Sequence, residues 1–325
     1  MKLESALRSP APVCAAPLPV WPDAWYVVAR SRDLARGQII DGQVAHRPFV
    51  IFRDATGVPV ALDAHCPHMG THLRTGQVVG DGIRCALHHW KIGRDGVLQG
   101  ASPCERIRSR AWPVFERFGL VFLFAGSGPP PPPPYADLPD DHVWMPAEPL
   151  LLKADWRAML VNGFDTQHMQ AVHQRALVRP AEFSRTADGG LRMRYETRVL
   201  PGGGLSSWLI SRLARGRPHL THTCHGPTML VESRLGRFES RAVFGLISQG
   251  ENTLAFASFG APNGGPLRWV RLWITRALYA SFLRKDFSVI EDMRLTVDGS
   301  TDPGVRGVSE YLRSLPELGG DGRAE

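Results

Sequence analysis

A run of six prolines, Pro129 to Pro134, follows Gly126-Ser127-Gly128 and constrains this chain more than any other feature. Consecutive prolines have no backbone N–H to donate and hold an extended polyproline II form, so the run belongs in neither sheet nor helix. It is read as a spacer, and the chain divides there into residues 22–128, a linker over 129–134, and residues 135–325. At 325 residues with 43% hydrophobic content there is enough apolar material for two ordinary cores, which excludes wholesale disorder. No apolar run reaches the roughly 20 residues needed to span a bilayer. Pro10, Pro12 and Pro17 break the N-terminal stretch, so no secretory signal is read there, and a cytoplasmic location is expected.

The formal charge of +7 raises the question of nucleic acid, but its distribution argues against it. Only four of the 38 basic residues are lysine, and the arginines are scattered, whereas a nucleic-acid footprint is a clustered face or arm. Five cysteines are an odd number in a long chain. Cysteines near histidines in a cytosolic protein point to metal rather than to a disulfide framework.

The first part reads as β. Trp25–Ala29, Phe49–Phe52, Val58–Leu62 and Leu120–Phe124 are short strand-like runs, and Asp54–Gly57, Asp81-Gly82 and Asp95-Gly96 are turn signals between them. In the second part Asp155 to Gln174 reads as one helix and Leu267 to Arg294 as a long final helix. Between them Met193–Val199, Thr228–Leu235, Phe238–Ile247 and Thr253–Phe259 read as strands. The class is α+β.

Cys66-Pro-His68 and, after sixteen residues, Cys85-Ala-Leu-His88 form two arms of one cysteine and one histidine each. Two thiolates and two imidazoles in paired loops are what a mixed-ligand [2Fe–2S] cluster requires, two cysteines on one iron and two histidines on the other. Gly70, Gly76, Gly80, Gly82 and Gly93 allow close turns around it. Structural zinc uses the same ligand types, but C-x2-C or H-x3-H spacing is expected of it. The third reading is a pair of buried cysteines beside exposed histidines.

The arms Cys66-Pro-His68-Met-Gly and Cys85-Ala-Leu-His88-His-Trp90 resemble the Rieske motif. They lack the extra cysteines of the respiratory type and so look like the oxygenase type. His89 stands where that family usually has glycine, and Ala86-Leu87 where it has Pro-Tyr or Pro-Phe; the spacing favours His88 over His89 as ligand. Further on, Asn162-x2-Asp165-x2-His168-x4-His173 resembles the iron-binding helix of Rieske non-haem iron oxygenases. On an ideal helix five residues turn about 140°, so both histidines reach one metal only if the helix bends or bulges. Asp286-x4-Glu291 matches the family's carboxylate pattern, with Asp286 the expected third ligand and Asp292 the alternative.

The resemblance, to the oxygenase (alpha) subunit of the ketosteroid hydroxylase or vanillate demethylase-like type, implies an N-terminal all-β Rieske domain. It implies a C-terminal helix-grip domain of antiparallel sheet and long helix. It implies a [2Fe–2S] cluster on Cys66, His68, Cys85 and His88, and mononuclear Fe(II) on His168, His173 and Asp286. Asp165 is then the bridge between a cluster histidine of one subunit and an iron-ligating histidine of the next, within a homotrimer. The activity implied is monooxygenation, by hydroxylation or demethylation of a hydrophobic cyclic substrate with O2 and electrons from a separate reductase or ferredoxin. A desaturase or cyclase, and a pure electron-transfer protein, are the other readings. Pro218-His219-x2-His222-x-Cys224-His225 imitates a metal site, but on a strand its histidines alternate faces. Cys14 and Cys104 are read as inert, Gly202-Gly203-Gly204 as a flexible turn, and Phe244, Leu246, Phe256 and Phe259 as the wall of an apolar cavity.

Overall fold

A computed structural model describes residues 16–99, 107–200 and 217–318. Cys14, Cys104 and the three consecutive glycines at 202–204 lie outside the described residues. The first part holds three small antiparallel sheets. Trp25–Arg30, Leu120–Phe124 and Val114–Arg117 form one, and Ile39–Val44, Arg47–Arg53, Pro59–Asp63 and Ala111–Trp112 another. The third joins Gln77–Val79, Gly82–Arg84, Lys91–Ile92 and Leu98–Gln99, and it carries the second Cys/His arm between its strands. The turn at Asp54 forms as its sequence predicts. The buried Asp54 carboxylate accepts from the N–H groups of Thr56 and Val58 and from Arg94, which fixes the hairpin between its two strands.

The second part is one nine-stranded antiparallel sheet. Its main path runs His142–Pro146, Asn252–Pro262, Phe238–Gln249, Thr228–Leu235, His219–His225, Leu191–Val199 and Arg175–Leu177. Helix α1 spans Trp156–Phe164, α2 is the short His168–Ala171, α3 is the long Arg268–Ile290, and α4 is Pro303–Arg313. Leu272 of α3 packs on Val231, Ala242, Phe244 and Phe259 of the sheet, with Tyr279 and Leu283 beside them. No helix among the described residues is long and apolar enough to cross a membrane.

Residues 128–134 form neither strand nor helix, yet the parts they separate touch. Val27, Phe122 and Leu123 share a hydrophobic cluster with Leu230, Val243, Ile247 and Phe256 of the large sheet. The Trp25 indole donates to the Pro131 carbonyl at 3.1 Å, so the linker is pinned at its middle.

Two helix expectations are corrected. Asp155 to Gln174 is not one helix: α1 stops at Phe164 and Asp165 is extended (φ −67°, ψ 113°) before α2 begins. Leu267 to Arg294 is not the final helix either, because α4 follows. The signal for α4 was local: Asp302 caps its first turn by accepting from the N–H groups of Gly304 and Val305, and Pro303 sits where no N–H is needed. Gly304 allows α4 to press against the end of α1, since a Cβ there would lie 1.8 Å from the Phe164 carbonyl oxygen.

Candidate metal centres and the cavity between sheet and long helix

The first centre is built from two loops of matching form. In each, the cysteine N–H donates to the carbonyl five residues on, Cys66 to Thr71 and Cys85 to Trp90, both at 2.8 Å. In each, the cysteine carbonyl accepts from the N–H four residues on, Gly70 at 2.9 Å and His89 at 3.0 Å. Those fourth positions are both left-handed, Gly70 at φ +78° and His89 at φ +59°. Cys66 and Cys85 are buried in one cluster with Leu73, Ile83 and Ile92. His68 and His88 meet at the surface, Nδ1 to Nδ1 at 3.2 Å, with the Trp90 ring 4.1 Å from that of His68. His89 is exposed. Burial pushes the Cys66 thiol up, opposed by the N–H of His68 and helped by the neighbouring Cys85. Two soft sulfurs and two Nδ1 atoms on paired loops fit a cluster of mixed ligation, whose iron would hold the sulfurs as thiolates.

The second centre depends on the break in the helix. Asp165 ends α1 and its Oδ1 accepts from the N–H groups of Gln167 (2.8 Å) and His168 (3.2 Å). The buried Asp302 carboxylate accepts from Thr166 N–H and so ties the break to α4. His173 lies past the end of α2, beside Gln174 at φ +55°. The facing problem of an H-x4-H pair is therefore solved by ending the helix, and no π-bulge is found.

The structure brings His168, His173 and Asp286 together, one ligand atom from each within 4.8 Å of the others. His173 Nε2 is 2.7 Å and His168 Nε2 3.7 Å from Asp286 Oδ1. The Nδ1–H of His168 donates to the Asp165 carbonyl at 2.6 Å, which leaves Nε2 as the free lone pair facing the carboxylate. Burial lowers the His168 pKa against the pull of Asp286, keeping a neutral imidazole available. Two imidazoles and a carboxylate fit a non-haem ferrous ion with positions left open. Asp292 is exposed, at φ +59°, with its N–H donating to Lys153, and it is outside this group.

The triad opens into a predominantly apolar cavity lined by Met229, Val231, Phe244, Leu278, Phe282 and Leu283 among others. Phe244, Leu246, Phe256 and Phe259 line a second hollow that meets it at Asp286. The His219/His222/Cys224/His225 tract does not converge. His219 is exposed, His225 pairs with Asp188 at 3.3 Å, and only His222 turns toward the cavity. His222 Nδ1–H donates to the Gly163 carbonyl at 2.6 Å and Tyr195 hydroxyl donates to its Nε2 at 3.1 Å, so it braces α1 against the sheet. Burial brings its pKa down to about 4, so it is neutral at physiological pH. Sequence reading passed over Tyr195, Arg175 and Asp302. Asp302-Pro303 was a readable cap, whereas nothing local marks Tyr195 or Arg175 as cavity residues.

Residues 24–111 match the model of the Rieske [2Fe–2S] domain family. The chain is 27% identical over 168 residues to the cholesterol 7-desaturase nvd of Bombyx mori, covering 49% of this chain and 37% of that protein. It is 25% identical over 198 residues to the oxygenase component of 3-ketosteroid-9-alpha-monooxygenase of Rhodococcus rhodochrous, covering 56% and 50%. It therefore spans at most about half the length of these relatives. Among solved structures, dicamba monooxygenase bound to dicamba superposes with a TM-score of 0.64 at 19% identity, covering 90% of this chain and 97% of that one. NdmA of Pseudomonas putida CBB5 with caffeine superposes with a TM-score of 0.65 at 17% identity, covering 89% and 88%. The chain carries a Rieske domain and, over nearly all its length, the fold of these oxygenases.

Proposed function

We propose that this chain is the terminal oxygenase component of a Rieske-type monooxygenase, which uses O2 and electrons from a separate reductase or ferredoxin to hydroxylate or oxidatively demethylate a hydrophobic cyclic substrate. The observation that carries the reading is the meeting of His168, His173 and Asp286 at an apolar cavity, in a chain that also carries a Rieske domain. The metals supply the redox chemistry, single-electron relay at the cluster and dioxygen activation at the ferrous ion. The protein does the rest. Cys66, His68, Cys85 and His88 hold the cluster with the histidine pair toward solvent, where a partner can approach. The Asp165 carbonyl fixes the His168 tautomer, and the apolar wall orients the substrate and keeps bulk water from the reacting centre.

The same proposal divides the chain into a Rieske domain over 22–128, a linker over 129–134 and a helix-grip catalytic domain over 135–325. It places Asp165 as the bridge to the cluster of a neighbouring subunit in a cytoplasmic homotrimer. Asp165 Oδ1 is engaged in capping, while Oδ2 has no partner among the described residues, which supports a role across an interface. Desaturation of the same class of substrate is the second reading, favoured by the similarity to a cholesterol 7-desaturase. The test is the purified, reconstituted protein. It is expected to be coloured, to hold about three irons per chain, and to consume oxygen with a reductase and ring-type hydrophobic compounds. A colourless, iron-free preparation overturns the proposal.

A further inference from the structure

Arg175 follows His173 by two residues and opens the strand Arg175–Leu177. It is 5% exposed and lines the same cavity as the triad. Buried arginines normally carry a carboxylate or several carbonyl acceptors, because a guanidinium stripped of water without them is costly. Here none is found: no ion pair or hydrogen bond from the Arg175 side chain exists among the described residues. Its guanidinium lies over the Phe282 ring, with Cζ 4.4 Å from the ring centre. That ring also lies 4.9 Å from the ring of His173. The guanidinium thus lies over an aromatic ring that also neighbours His173, its five N–H donors unspent among the described residues.

Asp286 is not its missing partner. That carboxylate faces His173 and His168 and is the group expected to hold the metal. The other polar side chains on the cavity wall do not supply a charge. Tyr195 is spent on His222, and Ser233, Ser240 and Asn162 are neutral. A positive fork on the wall of a predominantly apolar cavity is a recognition device for a planar anion.

We infer that Arg175 is a specificity-determining residue, and that the substrate carries a carboxylate, or an oxyanion of like geometry, on its hydrophobic body. This deepens the proposed function and rests on it for the word substrate, but the preference for an anion resides in the cavity and does not require turnover. The carboxylate would pair with the guanidinium while the apolar body lies along Phe282, Leu278 and Phe244, which places one edge of the body by the triad. Neutral ligands of the same shape leave the arginine unpaired and bind more weakly.

The experiment measures binding to the purified full chain by equilibrium dialysis at neutral pH. It uses three acids of increasing size, benzoate, 2-naphthoate and lithocholate, each against its own primary amide. In the wild-type protein at least one acid is expected to bind tenfold or more tightly than its amide. Arg175→Gln abolishes that preference, and Arg175→Lys, which keeps the charge but not the fork, retains part of it. Iron content and the cluster's circular dichroism, unchanged in the variants, show that they are folded. If no acid outbinds its amide in the wild type, or if Arg175→Gln keeps the preference, Arg175 serves only to stack on Phe282 and the inference fails. Iron content and oxygen uptake are read separately, so an anion preference in a protein without mononuclear iron would sink the proposed function and leave this inference standing.

Discussion

The two centres use histidine in opposite ways. His68 and His88 sit at the rim of the first part, on loops whose backbone bonds are local and whose cysteines alone reach the interior. His168 and His173 sit deep, at a helix that had to be broken to aim them, braced by Asp302 from one side and His222 from the other. A relay that takes electrons from another protein, as proposed for the first centre, is served by ligands near a surface. A centre that handles dioxygen needs a dry, walled cavity. The first can therefore be encoded in two short stretches of chain. The second must be assembled from residues over a hundred positions apart, such as His173 and Asp286.

The largest expected effect separates the centres. Asp286→Ala removes the carboxylate from the second site while touching nothing near the cysteines. Mononuclear iron is expected to be lost and turnover to fall at least about a thousandfold, with the cluster's EPR signature intact. Asp292→Ala is the control: its side chain is exposed and outside the triad, and iron content should hold. Should Asp286→Ala retain its full iron complement, the third ligand lies elsewhere and the buried centre is not the one drawn here.

Asp165→Asn probes the link between the centres. Asparagine caps a helix as well as aspartate does, so the bonds to Gln167 and His168 survive and only the charge is removed. Both metals should stay bound while turnover drops by about 100-fold or more, the upper end for a residue that orients a metal ligand. Product formation close to wild type would mean that the two centres communicate without this carboxylate.

How much of this was legible in the sequence differs between the centres for the same physical reason. The Cys66/His68 and Cys85/His88 arms are contiguous, and turn signals such as Asp54–Gly57 are local, so pattern alone located them. The H-x4-H pair was visible, but the way it meets one point was not. The expected bulge is a helix end, and the cause is the capping Asp165 together with its neighbour Thr166, held by Asp302 well over a hundred residues away. Helix α4 carried its own start signal in Asp302-Pro303. Arg175 and Tyr195 carried none, because a strand residue becomes a cavity residue only through what packs opposite it, here Phe282 on α3 for Arg175 and His222 for Tyr195.

The smallest effect concerns the symmetry of the two cluster loops. Gly70 and His89 occupy equivalent positions, each four residues past a cysteine and each left-handed, yet only one is glycine. A side chain in that conformation costs roughly 1 kcal/mol, less for histidine than for a branched residue. Glycine in its place would be more disordered when unfolded, which offsets roughly half of the gain. His89→Gly should therefore raise stability by about 0.5 kcal/mol, a shift of no more than about 2 °C in thermal midpoint for a chain this long, with the cluster spectrum unchanged. Gly70→Ala, which places a Cβ in the same conformation, should lower it by about 1 kcal/mol. If His89→Gly instead weakens the protein or its electron transfer, the loops are not equivalent, and the exposed imidazole of His89 makes a contact that one chain alone does not contain.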